Sequence, residues 1–204
     1  MIRLYRFPYS TNVERVALAL AHKGLATESV WIDPDDRGGV RGVSRQDLVP
    51  VIEHDDRVVS DSTEIIRYLE AVRPDPPLLP AEPARRTEML IFVDWFNRVW
   101  KAAPNGIADE LGAASPDRAR VARLSREMRG ALDLFEALLD GRDHLMGPFS
   151  AADCAAFPFL KYAVLHEPED SELFHLVLRD HQPLGSTHPR LEAWIRRVDE
   201  RPRA

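Results

Sequence analysis

Apolar positions change their period along the chain. Ile2, Leu4 and Phe7 predict a first strand, and Val13, Val16, Ala17 and Leu20 then recur at helical spacing. Ser29-Val30-Trp31-Ile32 predicts a second strand. Val51-Ile52-Glu53 and Val58-Val59-Ser60 flank His54-Asp55-Asp56-Arg57, which predicts an antiparallel hairpin. Ile65, Ile66 and Leu69 mark one face of a helix from Thr63 to Val72. The order strand, helix, strand, irregular stretch, hairpin, helix implies a small mixed sheet with helices packed on it.

Five prolines between Arg73 and Pro83 deny that stretch both helix and central strand. Beyond it the strand signals fade and helical periodicity runs over about 84–111, 116–140, 151–166 and 188–201. Pro116 and Pro189 stand in first turns, and Gly141 follows a helix end. The expected division is a mixed domain over 1–73, a Pro-rich linker over 74–83, and an all-helical domain over 84–204.

Composition narrows the function. With 204 residues, 45% hydrophobic and 29% charged, the chain is an ordinary globular one. Its net charge of −6 argues against a nucleic-acid partner or an anionic membrane surface. The single cysteine, Cys154, has apolar neighbours and reads as a core residue in a reducing compartment. No signal peptide and no apolar run of membrane-spanning length is visible, so the expected location is cytoplasmic. The chain has no phosphate-loop, dinucleotide, zinc-protease, C-x-x-C or G-x-S-x-G motif, its seven histidines are scattered, and no metal is implied.

Four separated segments carry a resemblance. The first is Phe7-Pro8-Tyr9-Ser10-Thr11-Asn12-Val13-Glu14-Arg15-Val16, a hydroxyl just before an amphipathic helix with an arginine five residues on. The second is Leu48-Val49-Pro50-Val51-Ile52, and the third is Ser60-Asp61-Ser62-Thr63-Glu64, an acid-serine pair at a helix start. The last is Phe149-Ser150-Ala151-Ala152-Asp153-Cys154, followed by His188-Pro189-Arg190-Leu191. Their order and spacing resemble the cytosolic glutathione S-transferase superfamily over nearly the whole chain. The resemblance implies an α+β thioredoxin-like N-terminal domain followed by an all-α C-terminal bundle. It further implies glutathione as co-substrate, a small apolar electrophile, and a homodimer.

Site residues follow from that resemblance. Ser10 would stabilise the glutathione thiolate, in a serine-type subclass, against a reading in which it only caps the helix, and Tyr9, Thr11 and Asn12 compete with it. Pro50 resembles the family's cis-proline, which leaves the backbone of Val49 to pair with the cysteinyl part of glutathione. Ser62 would bind the γ-glutamyl carboxylate at a helix start and Asp61 the amino group, against a reading in which the two only cap the helix. Ser150 and Asp153 form a second capping box whose expected role is structural. Trp95, Phe96 and Trp100 read first as core, with a substrate role open to Trp100. The arginines at 118, 120, 123, 126 and 129 read as a solvated face.

The family's usual basic clamp for the glycyl carboxylate is missing before Val49, where Leu48 stands. Arg37, Arg41 and Arg45 are the candidates to replace it. The expected activity is thiol activation for attack on an electrophile. A glutathione-dependent isomerase, dehalogenase or peroxidase, or a non-catalytic binding protein of the same fold, are the alternatives.

Overall fold

The computed structural model describes all 204 residues. The chain forms two compact units, one of Met1–Ala81 with Arg201–Ala204, the other of Glu82–Glu200.

Unit 1 is built on β1 (Ile2–Arg6), α1 (Thr11–His22), β2 (Thr27–Trp31), α2 (Gly38–Ser44), β3 (Val51–His54), β4 (Arg57–Ser60) and α3 (Ser62–Val72). The strand order is β2-β1-β3-β4, with β1 parallel to β2 and antiparallel to β3, and β3 antiparallel to β4. Alternation sets the two faces. Leu4 and Ile52, opposite each other, are fully buried, and the His54 imidazole on that face meets the Tyr68 hydroxyl of α3 at 2.9 Å. On the other face Tyr5 and Val51 pack with Ile32 and with Val40 of α2, joined by Phe7 and Val49. The mixed sheet with helices on it is the thioredoxin-like arrangement implied by the resemblance.

The sequence GGVRGVS does not predict α2, because three glycines make it a poor helix former. Burial of Val40 in the sheet cluster overrides that propensity.

The proline-rich stretch belongs to unit 1 as far as Ala81. Lys23, buried at the end of α1, pairs with Glu70 and donates to the carbonyls of Pro74 at 3.2 Å and Pro76 at 2.7 Å. Glu70 in turn accepts from the amides of Leu78 and Leu79. One partly buried ion pair thus satisfies a segment that cannot form regular structure. Residues 201–204 also return to unit 1. The Ala204 amide donates to Ala17 O, Arg6 donates to Ala204 O, and Arg203 pairs with Glu14.

Unit 2 contains α4 (Pro83–Trp95), a π turn (Phe96–Trp100), α5 (Ala102–Gly112), α6 (Arg118–Leu138), α7 (Ala151–Leu160), a 3₁₀ turn (Lys161–Ala163), α8 (Leu173–Asp180) and α9 (Pro189–Asp199). It is all-helical as expected, with differences from the predicted helices, the first being that Pro116 precedes the Asp117 cap of α6 and does not stand in its first turn. The stretch 84–111 is divided by the π turn, where Phe96 and Trp100 stack at 4.5 Å and pack with Phe135 and Phe159. The helix predicted to 166 ends at Leu160, with the 3₁₀ turn following it. The short α8 was not predicted; Val177 and Leu178 bury its inner face.

Ser150 and Asp153 close a full capping box at the start of α7. Asp153 is fully buried and accepts from the Leu145 amide, the Ser150 amide and hydroxyl, and the Trp194 indole. Cys154 is buried, and the five arginines of α6 are exposed, both as read from the sequence. No helix is long and apolar enough to cross a membrane.

Candidate functional site

Strand register brings three of the predicted segments to one end of the sheet. Tyr5, near the end of β1, lies opposite Val51, the first residue of β3, and Val51 lies opposite Ser60, the last residue of β4. The loop holding Ser10 leaves β1, the Leu48-Val49-Pro50 turn enters β3, and Asp61-Ser62 leaves β4. All three therefore emerge from the same edge, although far apart in sequence. Phe7 and Val49 pack against one cluster and hold the first two loops together.

Each loop has a backbone or capping feature of its own. Ser10 is the N-cap of α1, its Oγ accepting from the Val13 amide at 3.3 Å. A hydroxyl carries one proton and two acceptor lone pairs, so capping leaves its proton available to donate elsewhere. The two readings of Ser10 are compatible on these grounds. Of its competitors, Thr11 is buried and Tyr9 is 72% exposed, with its backbone in the left-handed region at φ 62°. The Val49–Pro50 bond is cis, and the β-ladder starts only at Val51.

Asp61 has φ 69° and ψ 125°, a conformation that costs on the order of 1–3 kcal/mol for a residue with a side chain. Its carboxylate accepts from the amides of Thr63 and Glu64, at 2.8 and 3.1 Å, and its carbonyl accepts from Ile65. The Ser62 amide is thus the first-turn donor that this cap does not consume. Ser62 itself is buried, and its hydroxyl accepts from Arg15 of α1 at 3.4 Å.

Two helix N-termini, those of α1 and α3, stand at this end of the sheet, and both favour an anion through their orphan amides and aligned dipoles.

The three candidate arginines are placed differently. Arg41 is engaged by the Asp47 carboxylate at 2.6 Å, a hydrogen bond that holds the Asp47 carboxyl below its ordinary pKa. Arg45 is the exposed residue that ends α2 in the left-handed conformation. Arg37 lies against the Phe7 ring, 5.1 Å from its centroid, and donates to the carbonyls of Pro34 and Asp47. The guanidinium has five N–H donors, and these contacts use two of them.

Sequence reading gave no role to Gln46. Its side-chain amide donates to Leu48 O and accepts from Leu48 N, both at 2.8 Å, and so grips the residue before Val49. Nothing in the spacing marks that grip. No group of three or more His, Cys, Asp or Glu side chains is placed to hold a metal ion.

This arrangement, a thioredoxin-like unit with a helical unit after it, agrees with comparisons to known proteins. Residues 4–77 match the glutathione S-transferase N-terminal domain and residues 118–197 the glutathione S-transferase C-terminal domain. The chain belongs to the glutathione S-transferase family, whose general activity is glutathione transfer. It is 27% identical over 212 residues to glutathione S-transferase GstB of Escherichia coli, covering 99% of this chain and 95% of GstB. To LigF of Sphingobium it is 34% identical over 100 residues, which span 46% of this chain and 39% of LigF. The crystal structure of a glutathione S-transferase from Rhodospirillum rubrum superposes with a TM-score of 0.76 at 28% identity, over 99% of this chain and 89% of that one.

Proposed function

We propose that this protein activates the thiol of glutathione for attack on a small apolar electrophile, at the sheet end bearing Ser10, Val49, Pro50, Asp61 and Ser62. The observation that carries the reading is the in-register row Tyr5, Val51, Ser60, which gathers three sequence-distant loops at two helix N-termini. The donor set suits the tripeptide's separate parts. Ser10 offers a hydroxyl proton for a thiolate, the backbone at Val49 a place for the cysteinyl residue, Ser62 an amide and hydroxyl for the γ-carboxylate, and Asp61 a negative charge for the amino group. Arg37, fixed by Phe7 and two carbonyls, is our assignment for the glycyl carboxylate.

Magnitudes agree with that division of labour. Lowering a thiol pKa by ~2 units requires about 2.7 kcal/mol in favour of the anion. One hydrogen bond contributes about 0.5–1.5 kcal/mol net, and a helix N-terminus up to about 2 kcal/mol when partly buried. Ser10 and the α1 terminus together reach the requirement, and neither does so alone. The thiol proton passes to water, and the sulfur then forms its bond to the electrophile as the leaving group departs with the electron pair. Kinship with the family supports a homodimer.

A calorimetric glutathione titration tests the reading, followed on the same sample by ultraviolet absorbance of the thiolate across pH. Binding with a thiol pKa well below the free value is expected. Absence of binding at millimolar glutathione would overturn the transferase reading and favour a non-catalytic role for the fold.

A further inference from the structure

Val49 would meet the ligand through its main chain, so the direction of that main chain decides what it can pair with. Its N–H and C=O have no partner within the protein, and the β-ladder begins two residues later at Val51. The three carbonyls before it are each met by a side chain. The Ser44 hydroxyl, which also donates to Val40 O at 2.8 Å, reaches Gln46 O at 3.2 Å, and Arg37 donates to Asp47 O at 3.3 Å. The Gln46 amide then donates to Leu48 O and accepts from the Leu48 N–H, both at 2.8 Å. The orientation of that amide is forced, since a main-chain N–H only donates and a carbonyl only accepts.

Leu48 is exposed, so water could satisfy both of its main-chain groups, and what Gln46 supplies is direction. A peptide unit is planar, and in the trans form its C=O and N–H point opposite ways. The Leu48–Val49 bond is trans, the cis bonds of the chain being Val49–Pro50 and Asp75–Pro76. Leu48 O and the Val49 N–H therefore turn as one plate. Gln46 holds the oxygen of that plate and the nitrogen of Leu48 before it, which leaves the Val49 N–H facing away from the Gln46 amide. The Val49 C=O belongs to the next plate, completed by a proline without an N–H, and Gln46 does not hold it.

We infer that Gln46 is a positioning residue that aims the Val49 N–H at the cysteinyl carbonyl of glutathione. The inference rests on the assignment of the cysteinyl residue to the Val49 backbone. It contains an asymmetry: Gln46 governs the hydrogen bond that Val49 donates and not the one that Val49 accepts.

The experiment compares three ligands by calorimetry. They are glutathione, an analogue whose cysteinyl carbonyl is a thiocarbonyl and so a weaker acceptor, and a depsipeptide in which an ester oxygen replaces the cysteinyl N–H. All three keep the thiol and every charged group. Wild type, Gln46→Ala and Gln46→Glu are measured, each after a melting curve confirms a folded protein. In wild type each analogue should bind about fivefold more weakly than glutathione, the scale of one net hydrogen bond. Gln46→Ala should shrink the thiocarbonyl penalty to less than about twofold and leave the depsipeptide penalty as it was. Gln46→Glu is the closer test, because at neutral pH its carboxylate can still accept from Leu48 N but has no proton for Leu48 O, and it should give the same result. Its added charge acts on all three ligands alike and drops out of their ratios. A thiocarbonyl penalty unchanged in both variants, or a depsipeptide penalty that falls by as much, would overturn the role of Gln46 while leaving the Val49 pairing in place. A wild type that binds glutathione and the thiocarbonyl analogue equally would overturn the pairing at the Val49 N–H, and the role of Gln46 with it, but not the transferase reading. A wild type that binds none of the three would overturn that reading itself.

Discussion

The starts of α3 and α7 look alike in sequence and differ in what they leave over. Asp61-Ser62-Thr63-Glu64 and Ser150-Ala151-Ala152-Asp153 each place a short polar residue before a helix and an acid three positions on. At α7 the box closes, the acid is fully buried, and its oxygens take donors from the Leu145 loop, from Ser150 and from Trp194 of α9. At α3 the acid does not reach back, and Glu64 pairs with Arg67 at 2.7 Å. The cap is instead an exposed Asp61 with a left-handed φ, and the Ser62 amide and hydroxyl proton remain for a further acceptor. Helix caps therefore divide by the fate of their donors. One whose donors are consumed inside the protein is structural, and one that keeps a donor in reserve can take a ligand.

The comparison is broken most forcefully at Asp153. Its replacement by alanine strands the Leu145 and Ser150 amides and the Trp194 indole in a buried setting, and should cost about 3 kcal/mol or more of unfolding free energy in urea. Asp61→Ala, losing only an exposed cap, should cost about 1 kcal/mol. Equal losses at the two positions would contradict the division.

Ser10→Ala sharpens the same contrast within unit 1. Removing the hydroxyl should lower kcat/KM toward an electrophilic substrate by about 10- to 100-fold, the range of a modest transition-state hydrogen bond, with a stability loss of about 1 kcal/mol. Unchanged turnover would leave Ser10 as a cap alone.

The smallest effect is expected at the other end of α1. Arg201 donates to His22 Nδ1 at 2.9 Å, which leaves Nε2 to donate to Pro77 O. Burial, chiefly, pushes the His22 pKa below its ordinary 6.5. Between that lowered value and 6.5 the unfolded chain takes up a proton that the folded one does not, so stability should decline as pH falls through this window. His22→Gln should flatten that part of the profile, as read by melting temperature against pH.

Much of this was legible in the sequence because local and long-range signals agreed. The alternation of Ile2 and Leu4, the 3.6-residue spacing of Val13, Val16 and Leu20, and the closed box at Ser150 each describe elements whose own residues decide their shape. The helix over Gly38–Ser44 was not legible, because its support comes from Tyr5 and Val51, which are distant in sequence. The π turn at Phe96–Trp100 was hidden for a similar reason, since its periodicity slips by one residue without a proline or glycine to announce it. At the site, residue types pointed to Ser10, Asp61 and Ser62. They could not show that Gln46 grips Leu48, that Arg41 is occupied by Asp47, or that Arg15 reaches Ser62, because those contacts depend on how the loops meet.

Arg201–Ala204 carry a consequence for recombination. Because these residues supply partners to Arg6, Glu14, Ala17 and His22, unit 1 is encoded by two stretches of sequence separated by all of unit 2. A chimera that exchanges only residues 1–81 with a relative would join one protein's α1 to another's 201–204 segment. The compatible unit of exchange, in the laboratory or between genes, is residues 1–81 together with Arg201–Ala204.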